Sequence, residues 1–127
     1  MNKHILSVDD EAAIRELLQE ILTMKGYRVS TAATAREAKR IIEDDPPQLV
    51  ILDFQIEEGD GFTLIEEMKI LCPSTPILLL TGAVFDQGVV RDMINTKVAG
   101  YLDKTASLDT IVNEVQRLLA DDATAPK

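Results

Sequence analysis

The chain contains little that would indicate a secreted, membrane-bound or nucleic-acid-binding protein. It has no tryptophan, one cysteine and one histidine, and no apolar run approaches the roughly 18 residues of a membrane span. A single cysteine excludes an internal disulfide, which favours a reducing, cytoplasmic compartment. The formal net charge of −9 leaves no basic stripe for nucleic acid. We therefore expect a cytoplasmic protein that binds neither membrane nor nucleic acid.

The composition that remains suits one domain. Apolar residues make up 46% of the chain and charged residues 28%, so both a core and an ordinary polar surface are available. A length of 127 residues leaves room for a single domain. We expect that domain over residues 1–120, with residues 121–127 as a disordered tail or the start of a linker.

Short apolar runs alternate with stretches of helical periodicity. The strongest strand candidates are residues 5–8, 49–52 and 77–80, whose mainly apolar runs without alternation suit strands buried on both faces of a sheet. Weaker candidates, expected nearer a sheet edge, lie at 28–32 and 100–103. A helix is predicted after each strand: one ending at Gly26, one from Thr34 to Pro46, and others over 61–71, 87–97 and from about 107.

Apolar residues at helical spacing mark the expected inner faces of these helices. In the first helix they are Ile14, Leu17, Leu18, Ile21 and Leu22, and in the last they are Leu108, Ile111, Val112, Val115 and Leu119. Met24, Met68 and Met93 are expected to fill the core, as is Cys72.

Five strand–helix units in succession predict a doubly wound α/β fold. Right-handed crossovers place such strands in one five-stranded parallel sheet with five helices on its two faces. Ligands of these sheets bind at the carboxyl ends of the strands. The sequence therefore predicts where the functional site lies.

Polar residues follow the predicted strands at those carboxyl ends. They are Asp9 and Asp10, Asp53, Thr81 and Lys104, in chain order. Carboxylates crowded at about 4 Å repel by roughly 4 kcal/mol per pair at an effective dielectric of 20. A magnesium ion removes that repulsion, because it binds carboxylates together with water and phosphate oxygens. A nucleophilic aspartate, a cation, an ammonium and a hydroxyl are the groups that phosphoryl transfer to aspartate requires.

The same residues stand in motifs along most of the chain. The motifs are Ser7-Val8-Asp9-Asp10-Glu11, Leu52-Asp53, Gly59-Asp60-Gly61, Leu80-Thr81-Gly82 and Gly100-Tyr101-Leu102-Asp103-Lys104. Over residues 3–120 they resemble the receiver domain of two-component response regulators, the CheY-like family. The resemblance implies a flavodoxin-like sheet in the strand order 2-1-3-4-5.

The resemblance also implies a role for each site residue. Asp53 is then the phosphoacceptor, and Mg²⁺ is bound by Asp9, Asp10, Asp53 and the backbone carbonyl of Gln55. Lys104 is expected to bind a phosphoryl oxygen, and Thr81 and Tyr101 to form the switch pair. The expected partners are a histidine kinase or a histidine phosphotransfer protein, together with an output partner or fused output domain. The output surface is expected on the fourth helix, fifth strand and fifth helix, and a phosphorylation-dependent homodimer is one expected assembly.

Three features, at four positions, depart from the usual pattern of the family or bear on it. Glu57 stands where a proline usually follows the phosphoacceptor, and Thr105 stands where a proline usually follows the lysine. Gln55 and Ala83 occupy the two positions that tune the phosphoryl lifetime in the family.

Other readings of the same residues lead to different functions. An Asp-Asp-Glu run can simply cap a helix. A haloacid-dehalogenase-type phosphatase also uses an aspartate nucleophile with Mg²⁺, but it requires a second aspartate where Gln55 stands. A flavodoxin relative requires a phosphate-binding loop where Asp9 and Asp10 stand. A further alternative is an adaptor with this fold that is never phosphorylated.

Overall fold

The structure, a computed structural model, describes residues 3–53, 61–81, 98–103 and 106–124. The strands are β1 His4–Val8, β2 Arg28–Ala32, β3 Leu49–Asp53, β4 Ile77–Thr81 and β5 Gly100–Asp103. The helices are α1 Ala12–Met24, α2 Ala35–Asp44, α3 Gly61–Leu71 and α4 Leu108–Thr124. The helix predicted over residues 87–97 lies outside the described residues.

The strands form one parallel sheet in the order β2-β1-β3-β4-β5. The central strands pair in close register: Val8 lies opposite Leu52 in β3, and Asp53 lies opposite Leu80 in β4. The predicted α/β class is therefore confirmed, and the strand order is the one that the family resemblance implies. In this topology the carboxyl ends of the strands all meet at one edge.

Among the described helices, two cover each face of the sheet, and two apolar cores result. One core joins alternate residues of β1 and β3, such as Leu6 and Val50, to α2 and α3. The other joins the intervening residues, such as Ile5 and Ile51, to α1 and α4. Strands buried on both faces have no polar side to alternate with, which explains their unbroken apolar runs. Each fully buried Leu or Ile contributes about 1.5–3 kcal/mol relative to an exposed one.

The helix faces agree with the expected apolar stripes, with two exceptions in α1. Leu18 and Leu22 are buried, but Leu17 is 43% exposed and Met24 is 77% exposed. The expectation that Leu17 and Met24 lie in the core is therefore wrong. Leu17 is exposed because the apolar stripe of α1 is wider than the part of the helix that contacts the sheet. Met24 is exposed because it is the last residue of the helix. In contrast, Met68 and Cys72 are buried as expected.

The ends of α1 and α2 have the local chemistry that their sequences predict. After α1, the amide of Gly26 donates to Thr23 O at 3.0 Å and the amide of Tyr27 donates to Leu22 O at 3.1 Å. These two bonds form a Schellman motif, for which Gly26 adopts a φ of 97°. Before α2, Thr34 Oγ1 accepts a hydrogen bond from the amide of Glu37 at 3.2 Å, as an N-cap should.

The last helix continues further than the sequence analysis expects. It extends to Thr124, so the first residues of the segment expected to be a tail are helical. No glycine or proline occurs between Leu108 and Pro126 to stop the helix. Residues 125–127 lie outside the described part, and the domain boundary at residue 120 stays a prediction. None of the described helices is both long and apolar enough to cross a membrane.

Candidate functional site

Two aspartates end neighbouring central strands at the carboxyl edge of the sheet. Asp53 is the last residue of β3, and Asp9 comes directly after β1. Val8 lies opposite Leu52, and the residue that follows each of them is an aspartate. Parallel pairing therefore brings together two carboxylates that are 44 positions apart in the chain.

Asp10 completes a group of three carboxylates. Asp9, Asp10 and Asp53 each offer a carboxylate oxygen, and these oxygens all lie within 4.8 Å of one another. Asp9 is 2% exposed and Asp53 is 4% exposed, whereas Asp10 lies nearer the solvent. Burial weakens the solvent screening of like charges, so the arrangement is costly without a compensating cation. The sequence prediction that these residues converge is confirmed.

Hydrogen bonds with Ala32, Glu11 and Arg15 hold Asp9 in place. Its amide donates to Ala32 O at the end of β2, at 3.0 Å. Its Oδ1 accepts from the amide of Glu11 at 2.8 Å, and its carbonyl oxygen accepts from Arg15 Nη1 at 2.7 Å. The bond from Glu11 closes a turn at the start of α1, so Asp9 does contribute to the helix start. That role involves Oδ1, and the same carboxylate belongs to the group of three.

The donor set fits a small divalent cation. Mg²⁺ binds hard oxygen ligands at about 2.0–2.1 Å, so two ligands on opposite sides of the ion are about 4.2 Å apart. The separation of at most 4.8 Å in this group is close to that span. The carboxylate chemistry and the size of the group both suit Mg²⁺.

The remaining predicted site residues are only partly described. The backbone of Thr81 ends β4, where it lies opposite Asp103 at the end of β5. Tyr101 lies in β5 opposite Leu79. Gln55 and Lys104 lie outside the described residues, so their placement stays a prediction. The strands nevertheless stand in the order that the site requires, since β4 adjoins β3 and β5 adjoins β4.

Arg15 is a site residue that the sequence analysis did not single out. It stands six positions after Asp9, in the first turn of α1, and its guanidinium contacts the Asp9 main chain. A signal was present in the sequence, because a cation near a helix N-terminus is disfavoured by the helix dipole. An arginine at that position therefore indicates a local anionic or carbonyl partner.

Comparison with known proteins identifies the family. The family model described as "Response regulator receiver domain" matches residues 5–116. This match covers most of the chain and includes all three clustered aspartates. The chain belongs to the family of response regulator receiver domains.

Relatives and solved structures agree with this assignment. The chain is 33% identical over 126 residues to Response regulator MprA of Mycolicibacterium vanbaalenii, covering 94% of this chain and 51% of that protein. It is 29% identical over 119 residues to Sporulation initiation phosphotransferase F of Bacillus subtilis, covering 94% of this chain and 95% of that protein. A CheY-like receiver domain structure from Methanospirillum hungatei has a TM-score of 0.87 at 27% identity and covers 97% of this chain and 98% of its own. The chain thus spans about half of one relative and nearly all of the other.

Proposed function

We propose that Asp53 of this receiver domain accepts a phosphoryl group from a histidine kinase or a histidine phosphotransfer protein. Receiver domains are phosphoacceptor switches. The observation that supports the assignment in this chain is the convergence of the Asp9, Asp10 and Asp53 carboxylates within 4.8 Å. Asp53 ends a central strand that is buried on both sides, so its carboxylate has a fixed position from which to attack.

The transfer exchanges one bond to phosphorus for another. A carboxylate oxygen of Asp53 forms a bond to phosphorus as the bond between phosphorus and the donor imidazole nitrogen breaks. The electron pair of the broken bond stays on the imidazole, which takes up a proton, and Asp53 becomes an acyl phosphate. Asp53 acts here as a covalent nucleophile. The alternatives of a dehalogenase-type phosphatase or a flavodoxin belong to other families than the one matched.

Asp9 and Asp10 hold the metal in this proposal, with Asp53 and the backbone carbonyl of Gln55. Bound there, Mg²⁺ supplies neutralisation of the charge that accumulates between the carboxylates and the phosphoryl oxygens. Asp9 is oriented for this task by its hydrogen bonds to Glu11 and Ala32.

Lys104 and Thr81 complete the site from the two neighbouring strands. We assign the Lys104 ammonium to one phosphoryl oxygen and the Thr81 hydroxyl to another, where both donate hydrogen bonds to developing charge. The assignment is supported by the order β3-β4-β5, which places these strand ends in succession beside Asp53. It rests otherwise on the family resemblance.

Labelling with acetyl phosphate tests the proposal. In the presence of Mg²⁺, intact-protein mass spectrometry should show the addition of one phosphoryl group. The addition should be lost in excess EDTA and in Asp53→Asn, because the first removes the cation and the second removes the nucleophile. Asp109→Asn, a change of an exposed carboxylate on α4, is the matched control and should label normally. Equal labelling of Asp53→Asn would contradict the assignment.

The output of the switch is the surface formed by residues 87–97, β5 and α4. Thr81 ends a strand within the sheet, so its hydroxyl can turn toward a phosphoryl oxygen while the strand stays in place. Tyr101, on the edge strand β5, is the large neighbouring side chain that then changes position. In this way a change of charge becomes a change of packing.

NMR spectroscopy with beryllofluoride and Mg²⁺ tests this route. Backbone amide signals of residues 81–104 should shift more than those of residues 12–45. Thr81→Ala should reduce that response while Asp53 is still phosphorylated. Shifts confined to the immediate neighbours of Asp53 would show that the signal does not travel by this route.

The site acts within a larger signalling assembly in this proposal. The chain covers 51% of MprA and 27% of the transcriptional regulatory protein GlrR of Escherichia coli, which are both longer than a receiver domain. We assign it an output partner or a fused output domain, with phosphorylation-dependent homodimerisation as one form of output. The cytoplasm is the compartment in which we place it.

A further inference from the structure

The Arg15 side chain connects helix α1 to the acidic edge of the sheet. Its Nη1 donates a hydrogen bond to the carbonyl oxygen of Asp9 at 2.7 Å. The Arg15 side chain is half-buried, so this bond is partly shielded from water. The Asp9 amide also donates to Ala32 O, and the Asp9 carboxylate accepts from the Glu11 amide. The Asp9 main chain is therefore held by β2 and by Arg15, and its side chain by the start of α1.

The position of Arg15 is unfavourable for an isolated helix. It lies in the first turn of α1, where the positive end of the helix dipole disfavours a cation. The contact that offsets this cost is with Asp9, whose carboxylate belongs to the group of three within 4.8 Å.

We infer that Arg15 is a positioning residue of the phosphoacceptor site, which holds the Asp9 main chain so that Asp9 and Asp10 present their carboxylates to one cation. The inference rests on the proposed function, because it concerns the same site. Arg15 acts through Asp9 and does not touch the reacting atoms. A charge-assisted hydrogen bond to a carbonyl is a strong restraint, and ligand groups must be held closely for Mg²⁺ to reach its octahedral geometry.

The charge of Arg15 and its hydrogen bond have opposite effects on metal binding. Removal of the positive charge alone would strengthen Mg²⁺ binding, since the cation would meet less repulsion. Removal of the hydrogen bond would weaken it, because Asp9 and Asp10 would no longer be held in place. The inference requires the loss of the hydrogen bond to have the larger effect. Replacement of Arg15 should then raise the Kd for Mg²⁺, whereas a dominant charge effect would lower it.

Titration of the apo protein with Mg²⁺ alone, monitored by NMR, measures whether the Kd rises or falls. Arg15→Met keeps a stem of similar length without the donor or the charge, and should raise the Kd for Mg²⁺ about tenfold. Arg15→Lys keeps a donor and the charge, and should stay within about threefold of wild type. Arg40→Met, at an exposed position on α2, is the matched control and should not change the Kd. If Arg15→Met does not fold, Arg15→Gln replaces it with the same expectation, because its shorter amide does not reach Asp9.

The acetyl phosphate reaction separates positioning from chemistry. The Mg²⁺ concentration at half-maximal labelling should rise about tenfold in Arg15→Met, while the rate at saturating Mg²⁺ stays within about twofold of wild type. A Kd for Arg15→Met that is equal to or lower than that of wild type would overturn this inference alone. A wild-type protein that binds no Mg²⁺ would overturn the proposed function and this inference together.

Discussion

The substitution Asp10→Asn tests the electrostatic reading of the site most directly. Asp10 lies within 4.8 Å of Asp9 and Asp53, measured between carboxylate oxygens. Two unit charges at that separation repel by about 3.5 kcal/mol at an effective dielectric of 20, and by about 0.9 kcal/mol in water. Asp10 is partly exposed, so the lower part of this range applies to each of its two pairs. We expect Asp10→Asn to raise the free energy of unfolding by about 1–2 kcal/mol in EDTA.

The same substitution should remove most of the stabilisation that Mg²⁺ provides. At 100 times its Kd, a ligand of the folded state adds about 2.7 kcal/mol to the free energy of unfolding. For a domain of this size that corresponds to a rise in Tm of about 10 °C. Asp10→Asn loses a metal ligand and should keep only a small part of that rise. The variant is therefore expected to be more stable than wild type in EDTA and less stable in saturating Mg²⁺.

Thermal unfolding followed by circular dichroism measures both quantities. Glu20→Gln, which removes an exposed carboxylate from the middle of α1, is the control and should change Tm little in either buffer. A lower Tm for Asp10→Asn in EDTA would show that the carboxylates do not repel as argued. A full Mg²⁺ response in the variant would show that Asp10 is not a metal ligand.

Two further predictions concern the parts of the fold that lie away from the site. Gly26→Ala should lower the free energy of unfolding by about 1 kcal/mol in urea denaturation, because φ at this position is 97° and a Cβ is disfavoured there; an unchanged midpoint would contradict this. Arg28 hydrogen-bonds to Asp45 and lowers the pKa of that carboxyl below its usual value of 3.8. A carboxyl whose pKa is lowered by folding stabilises the folded state at pH values above its ordinary pKa. This stabilisation is lost as the pH falls through the pKa of the carboxyl in the folded state. The urea midpoint of wild type should therefore exceed that of Asp45→Asn, and the difference should be larger at pH 7 than at pH 3. An equal difference at both pH values would contradict a stabilising role for the Arg28–Asp45 ion pair.

The sequence was most informative where a residue's position follows from local periodicity and from the parallel topology. Unbroken apolar runs predicted the central strands, and the strand–helix alternation then predicted that Asp9 and Asp53 would meet. Parallel pairing of β1 and β3 brings together Asp9 and Asp53, although these residues are 44 positions apart in the chain. No detailed packing is needed for that step, so it could be made without coordinates.

Contacts set by the extent of packing could not be predicted in the same way. Periodicity shows which stripe of α1 is apolar, but the sheet beneath determines how much of the stripe is covered, and Leu17 lies beyond that limit. His4 is another example. It is fully buried, and its Nε2 lies 2.7 Å from Ser30 Oγ. Such a contact joins residues 26 positions apart and depends on the side-chain direction in two strands.

The amino edge of the sheet contributes to stability, whereas the carboxyl edge carries the candidate site. At the amino edge several polar groups are paired: Thr75 Oγ1 donates to Pro47 O at 2.9 Å, and Gln48 exchanges hydrogen bonds with the His4 backbone. At the carboxyl edge three carboxylates are crowded together, which costs stability until a cation binds. A domain has a net stability of only about 5–15 kcal/mol, so a repulsion of a few kcal/mol at one edge must be offset elsewhere. The paired amino edge and the two apolar cores provide that offset. Because they lie away from the carboxylates, the acidic group can gain or lose a charge without unfolding the sheet that positions it.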